Sequence, residues 1–187
     1  VALGTALGAL FMIILHKSLP HLHAMAKDPE GPRTSLSRHT LLFLAITIHN
    51  IPEGIAVGVS AAVTALKPEL TGSTLILALG IGIQNIPEGA AVSLPYYTSG
   101  ISKRKAFIMG SLSGVVEPIC AMGIFFVAGK IISYMPWLLS FAAGAMLYVV
   151  IEELIPYSHS LGNSDKGTLA VLLGFILMMV LDVSLEQ

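Results

Sequence analysis

Six apolar runs divide the chain, and short polar breaks separate them. The runs cover about residues 1–16, 40–66, 72–97, 106–129, 136–156 and 168–185. A helix needs roughly 20 apolar residues to cross the hydrocarbon core of a bilayer, so the middle runs are long enough to span a membrane. They lack the period-two alternation of membrane strands and are too long for tilted strands. The pattern therefore predicts an all-α fold, a polytopic transmembrane helix bundle with six helices in this chain.

The composition supports this interpretation. Hydrophobic residues make up 55% of the chain, charged residues only 11%, and the mean hydropathy is +0.82. Soluble domains are typically about one quarter charged. The net charge of −1 indicates no partner, and we predict no nucleic-acid partner. Cys120 is the single cysteine, which excludes a disulfide framework and a cysteine zinc site.

The basic residues predict the orientation of the bundle. If residues 17–39 are cytoplasmic, the alternation of helices places residues 98–105 and 157–167 on the same side. These three segments hold all the Lys and Arg residues except Lys67 and Lys130. Because cytoplasmic loops are enriched in Lys and Arg, residues 17–39 are predicted to form a cytoplasmic loop. The chain is already apolar at its first residue and has no initiator methionine, so we expect either a fragment or a processed product of a longer protein.

Three of the long runs place a glutamate near their middle, namely Glu53, Glu88 and Glu117. An acidic residue at this depth costs roughly 2.5–3.5 kcal/mol on insertion scales. No Lys or Arg lies at a matching depth in any of the six runs. These glutamates are therefore expected to be protonated, hydrated or bound to a cation.

A repeated motif favours the bound cation. The stretches "IHNIPEGIAVGVS" (48–60) and "IQNIPEGAAVSLP" (83–95) share the sequence N-I-P-E-G. His49 precedes Glu53 by four residues, and Gln84 precedes Glu88 by the same spacing, so each pair shares one helix face. Imidazole, carboxylate and amide groups suit Zn²⁺ and other divalent transition metals. Because a short loop makes the two helices antiparallel neighbours, the two faces are predicted to form one metal site.

The residues beside each pair extend this hypothesis. Asn50 and Asn85 would serve a second ion that shares the same glutamates. Pro52 and Pro87 are expected to kink their helices, and broken helices at matching positions of a repeat are typical of a transporter's substrate site. Glycines 54, 58, 80, 82 and 89 are expected to let helix backbones approach closely. The alternative is that the prolines and glycines only shape packing, while the polar groups hydrogen-bond between helices.

Two further polar clusters lie at the predicted cytoplasmic ends of helices. The first comes from "HKSLPHLH" and the second from "IEELIPYSH". Together they suggest an exit route for metal, with ordinary solvated histidines and interfacial charges as the alternative. The route would be lined by His16, His21, His23, Glu152, Glu153 and His159.

At these residues the sequence resembles the ZIP (Zrt/Irt-like) family of divalent-metal transporters, in its prokaryotic GufA-like branch. "LGALFMIILHKSLPHLH" resembles the end of the family's third helix. "HNIPEG", "QNIPEG", "VVEPIC" and "EELIPYSH" resemble its fourth to seventh helices. The resemblance implies that residues 1–187 are a single ZIP membrane domain. It would contain the third to eighth of eight helices, without the first two.

The resemblance also implies a binuclear metal site at mid-membrane. One ion would bind His49, Glu53, Gln84 and Glu88. The other would bind Asn50, Glu53, Asn85, Glu88 and Glu117, with Glu53 and Glu88 bridging the two.

The predicted function is transport of divalent cations into the cytoplasm, Zn²⁺ foremost and also Cd²⁺, Fe²⁺ or Mn²⁺. The metal is the transported and bound ion, and no cofactor is expected. We predict an integral, multi-pass protein of a bacterial cytoplasmic (inner) membrane, embedded in the lipid bilayer and implied by its relatives to form a homodimer. We predict no enzymatic activity. The alternatives are an intramembrane zinc-dependent hydrolase and a metal-binding membrane subunit that does not transport. The hydrolase is disfavoured because "HNIPE" has no second histidine four residues after the first.

Overall fold

The computed structural model describes residues 1–22, 28–128, 134–155 and 164–185. Within these ranges the chain is helical, apart from connecting turns and one isolated antiparallel bridge between His21 and Glu30. The helices are α1 (Ala2–Ser18), α2 (Arg38–Leu66), α3 (Thr71–Thr98), α4 (Lys103–Ser113), α5 (Val116–Ala128), α6 (Met135–Val149) and α7 (Ser164–Leu185). A 3-10 turn, Pro68–Leu70, precedes α3, and a π-helical turn, Val150–Leu154, continues α6. The predicted all-α fold class is confirmed.

The helices coincide with the six apolar runs, with one exception. The fourth run contains two helices, α4 and α5, separated at Gly114 and Val115. Four stretches of the described chain are long and apolar enough to cross a membrane: Arg38–Leu66, Pro68–Thr98, Lys103–Val127 and Met135–Glu152. Helix α1 is a shorter apolar helix. The chain therefore has the helices of a membrane bundle.

Helix α2 lies at the centre of the bundle and contributes to three clusters of buried apolar side chains. Toward its start, Ile46 packs with residues of α3 and α4. Near its middle, Ile48 packs with α1 and α6. Toward its end, Val59 packs with α5 and α6. The residues of the repeated motif on α2 are therefore surrounded by other helices rather than by lipid.

Close helix pairs depend on glycine where two backbones meet. A Cβ on Gly8 of α1 would meet the backbone of Phe141 in α6, and a Cβ on Gly144 of α6 would meet the backbone of Thr5. Small residues at an interface are how membrane helices gain dispersion contacts without a hydrophobic driving force. Helices α1 and α6 therefore form a tightly packed pair.

The segment between α1 and α2 folds back against the end of α1. The backbones of His21 and Glu30 exchange two hydrogen bonds, of 3.2 and 2.9 Å. Gly31 adopts a φ of +80°, which favours glycine, and its α-carbon lies close to the carbonyl of Leu19. This arrangement holds the His21 ring against α1, with a centroid distance of 4.6 Å to the His16 ring.

Candidate metal centre

Polar side chains from α2, α3 and α5 meet in the middle of the bundle. Gln84 Nε2 donates to Glu53 Oε1 at 2.5 Å, and Asn85 Nδ2 donates to Glu117 Oε2 at 2.7 Å. The carboxylates of Glu88 and Glu117 both interact electrostatically with that of Glu53. The structure therefore brings together these five residues, which we call the central cluster.

The break between α4 and α5 positions Glu117. Pro118 has no N–H with which to bond the carbonyl of Gly114, four residues earlier. Instead the Glu117 N–H donates to that carbonyl at 3.1 Å, a tighter turn than an α-helix makes. Glu117 consequently lies in the first turn of α5, where the helix dipole stabilises a negative charge. Sequence reasoning missed this break, although Gly114 and the proline four residues later were its signal.

Asn50 closes the broken end of α4. In an unbroken helix the Ser113 carbonyl would accept from the N–H of residue 117. That N–H bonds Gly114 instead, and the Ser113 carbonyl accepts from Asn50 Nδ2 at 3.1 Å. Asn50 therefore couples α2 to the point where the fourth span breaks.

Glycines bring α2 and α5 into backbone contact beside the central cluster. A Cβ on Gly54 would meet the backbone of Glu117, and one on Gly58 would meet the backbone of Ala121. Gly89 of α3 lies against Gly110 of α4. The prediction of close approach is thus confirmed at glycines 54, 58 and 89. At Gly82 no described residue lies within 4 Å of a Cβ, so no helix approaches it closely in the described part of the chain.

Four buried oxygen atoms in the central cluster and on the neighbouring Asn50 accept no hydrogen bond from the described residues. They are Asn50 Oδ1, Glu53 Oε2, Asn85 Oδ1 and Glu117 Oε1. A buried acceptor without a partner costs about 1–3 kcal/mol. Four such oxygens on three helices fit a cation, since oxygen ligands are what a divalent ion requires. All four belong to the predicted second position of the binuclear site.

The carboxylates and imidazole do not by themselves form a ligand set. Among the described residues, no group of three or more His, Cys, Asp or Glu side chains is arranged to hold a metal ion. Glu53 and Glu117 are each hydrogen-bonded to an amide instead. The oxygens of Asn50 and Asn85 would therefore have to complete the coordination.

His49 connects the central cluster to α1. It is buried, and its Nε2 lies 3.2 Å from Nε2 of the buried His16. The sequence analysis assigned His16 to an exit route at the end of a helix. The structure places it directly against His49, because α1 packs beside α2 at this depth.

His16 also lines a cavity of about 480 Å³. We call it the inner cavity because the predicted orientation places this end of α1 on the cytoplasmic side. Its lining includes Lys17, Glu30, Tyr148 and Glu152, and the Tyr148 ring meets the His16 ring edge-on at 5.2 Å. The predicted residues His23 and His159 lie outside the described ranges, as does the side chain of Glu153. The structure therefore joins His16, His21 and Glu152 at this end of the bundle.

A second cavity, the outer cavity, lies on the opposite side of the central cluster. Its volume is about 310 Å³, and Asn85 and Glu117 form its polar end. Apolar side chains of α2, α3 and α5 form its walls, including Val57 and Ile81. The central cluster thus borders the outer cavity directly, and its neighbour His49 contacts His16 in the wall of the inner cavity.

Comparison with known proteins identifies the family. The family model described as ZIP Zinc transporter matches residues 14–182. The chain belongs to the ZIP zinc transporter family. The predicted family is therefore confirmed.

Three relatives show how far this ZIP chain extends. The zinc transporter GufA of Myxococcus xanthus is 46% identical over 186 residues, covering 99% of this chain and 71% of GufA. The zinc transporter ZIP11 of Homo sapiens is 49% identical over 155 residues, covering 81% of this chain and 45% of ZIP11. The zinc transporter ZIPB of Bordetella bronchiseptica is 39% identical over 179 residues, covering 94% of this chain and 55% of ZIPB. The ZIP chain thus spans most of GufA but about half of ZIP11 and ZIPB, and the likeness to GufA supports the predicted branch.

Proposed function

We propose that this ZIP protein transports Zn²⁺, or a related divalent cation, across a membrane and into the cytoplasm. The observation that carries the proposal is the group of four buried oxygens on α2, α3 and α5 that accept no hydrogen bond from the described residues. The names of the relatives agree with it, since GufA, ZIP11 and ZIPB are each named as zinc transporters. Residues 1–187 would act as a single transport domain in a multi-pass protein of a bacterial cytoplasmic membrane, and a homodimer remains part of the proposal.

The ligands would divide between two ion positions. Asn50 and Asn85 contribute amide oxygens to one position together with Glu53, Glu88 and Glu117. His49 and Gln84 contribute to the other position, with the glutamates Glu53 and Glu88 shared. A metal at the position of Asn50 and Asn85 would leave the amide donors to Glu53 and Glu117 in place. Each of these two carboxylates has a second oxygen that accepts no described hydrogen bond.

Release toward the cytoplasm would use the contact between His49 and His16. An ion that leaves His49 meets the His16 imidazole first, because the two Nε2 atoms are 3.2 Å apart. Beyond His16, the inner cavity offers the carboxylates of Glu30 and Glu152. Carboxylates are harder ligands than imidazole, and these two are exposed to solvent. This order of ligands suits an ion that regains its water shell as it leaves.

The relatives' names favour transport over the two alternative readings. A hydrolase would need a metal with an open position and a general base placed beside a scissile bond. A non-transporting subunit would bind metal but leave the cavities on both sides without a role. We therefore propose that the protein is a transporter and not an enzyme.

Uptake of Zn²⁺ into proteoliposomes tests the proposal, with an indicator dye inside the vesicles. The full-length protein is compared with Glu53→Gln and with Glu69→Gln, an exposed acid in the 3-10 turn that serves as the matched control. We expect Glu53→Gln to lower the initial rate by at least about tenfold, since removing a ligand charge weakens a metal site by that much or more. The Glu69→Gln rate should equal that of the wild type.

Two outcomes would contradict different parts of the proposal. Wild-type vesicles that fill no faster than protein-free vesicles would overturn transport itself. Equal rates for Glu53→Gln and Glu69→Gln would overturn the role of the central cluster.

A further inference from the structure

Three hydroxyl groups meet between α2 and α3, beyond the outer cavity. Ser60 Oγ lies 2.7 Å from Thr74 Oγ1, and Thr64 Oγ1 lies 2.5 Å from the same atom. Thr74 also donates to the Ser60 carbonyl at 3.3 Å, and Thr64 donates to the Leu70 carbonyl at 3.4 Å. We call Ser60, Thr64 and Thr74 the hydroxyl cluster.

These side chains point across the helix interface rather than along their own helices. A buried Ser or Thr in a helix commonly bonds the carbonyl four residues earlier. Thr47 and Ser140 do so in this protein, with oxygen–oxygen distances of 2.8 Å. In the hydroxyl cluster three hydroxyls and two carbonyls converge instead, with no charged group among them. The result is a neutral, oxygen-rich site.

The hydroxyl cluster lies on the same helix faces as the central cluster. On α2, Ser60 follows Glu53 by seven residues, which is two turns and about 10 Å along the helix. On α3, Thr74, Ile81 and Glu88 recur at intervals of seven residues. The two clusters therefore lie on the same face of each helix, and apolar residues separate them.

The outer cavity borders the helix segments that lie between the two clusters. Val57 of α2 and Ile81 of α3, which form part of its wall, lie between them in sequence on the same helix faces. At its inner end are Asn85 and Glu117, each with one buried oxygen that accepts no described hydrogen bond. The order from the outer end inward is hydroxyl cluster, apolar-walled cavity and central cluster.

We propose that the hydroxyl cluster is a cation-binding site at the outer entrance of the transport path. There an incoming hydrated divalent cation exchanges part of its water shell for hydroxyl and carbonyl oxygens before it crosses the outer cavity. Neutral oxygens suit this step, because they replace water without holding the ion as tightly as carboxylates do. This inference rests on the proposed transport function and adds a binding site to it.

Zinc uptake by the full-length protein in proteoliposomes tests the inference, together with zinc binding to the purified protein in detergent. The test variant is Thr74→Val, which keeps the shape of the side chain and removes its hydroxyl. Thr74→Ser restores the hydroxyl. Thr71→Val is the matched control, because its hydroxyl lies at the same end of α3 but bonds locally to the Pro68 carbonyl at 2.6 Å.

We expect Thr74→Val to raise the KM for external Zn²⁺ about fivefold, the effect of losing roughly one hydrogen-bond-strength contact. Vmax and the Kd of the central cluster should not change, and Thr74→Ser and Thr71→Val should behave as the wild type. If Thr74→Val does not purify as a folded protein, Thr64→Val replaces it, with the same expectation.

An unchanged KM would overturn the inference. So would a rise in KM accompanied by an equal rise in the Kd of the central cluster, since that would indicate only a structural role. In both cases wild-type uptake and its loss in Glu53→Gln would leave the proposed function standing.

Discussion

The nitrogen and the oxygen of the Asn50 side-chain amide have different surroundings. Its Nδ2 bonds the Ser113 carbonyl at the broken end of α4, and its buried Oδ1 accepts no hydrogen bond from the described residues. Glu117 and Asn85 show the same division, since one oxygen of Glu117 accepts the Asn85 amide and the other has no described donor. At this scale the amide nitrogens of Asn50 and Asn85 bond other protein groups, and in the proposed function the remaining oxygens bind the cation.

The variant Asn50→Asp separates these two roles. It keeps an oxygen ligand but loses the donor to Ser113, so we expect the free energy of unfolding without metal to fall by about 1 kcal/mol. Zn²⁺ should still raise the unfolding temperature, because an oxygen ligand remains. Thermal unfolding in detergent, with and without Zn²⁺, measures both effects. Asn50→Leu should lower the free energy of unfolding and also lose much of the zinc-induced rise in unfolding temperature. If Asn50→Asp without metal unfolds at the wild-type temperature, Asn50 has no structural role.

The fourth span consists of two short helices, and the break between them places Glu117 at the start of a helix. The proline at 118 and the glycine at 114 end α4 and start α5 at mid-span, which places Glu117 at a helix N-terminus. Helix α5 then lies in backbone contact with α2 at Gly54. The backbone of α5 therefore places the Glu117 carboxylate in the central cluster. In the proposed metal site, the distance between α2 and α5 would set the size of the site.

Glycine substitutions test this dependence. A methyl group at Gly54 would meet the Glu117 backbone, so we expect Gly54→Ala to destabilise the protein by about 1–3 kcal/mol and to weaken zinc binding. Gly82→Ala is the matched control on α3, where a Cβ has open space, and it should change stability by no more than about 0.5 kcal/mol. Thermal unfolding and zinc titration provide the two readouts. If both variants bind zinc equally well, α5 does not depend on this contact.

In the bundle as a whole, α2 is the element that the others surround. Helices α3, α4, α5 and α6 pack on it, whereas α1 packs on α6 and reaches α2 through the side chains around Ile48. The inner cavity borders α1 and α6, whereas the outer cavity lies among α2, α3 and α5. The two cavities therefore belong to different helix groups, which is the arrangement that access to one site from two sides requires.

The predicted orientation of the bundle is testable by thiol labelling. In a Cys120→Ala background, Glu69→Cys lies in the turn before α3 and Ser102→Cys precedes α4. Because basic residues concentrate on the Ser102 side, we expect an impermeant thiol reagent to label Glu69→Cys in intact cells. Ser102→Cys should be labelled only after permeabilisation. The opposite pattern would reverse the inner and outer assignments, and with them the direction of transport.

The sequence by itself determined the helices, apart from the break between α4 and α5, together with their approximate ends and the residues of the repeated motif. Hydropathy over about 20 residues and an i,i+4 spacing are local properties, and the surrounding fold does not alter them. The tertiary structure decided what lies between helices. His16 meets His49 across 33 residues of chain, α5 reaches Gly54, and three hydroxyls converge outside the cavity. These contacts depend on how far each helix is rotated and how closely its backbone approaches its neighbour, which no single segment of the chain encodes.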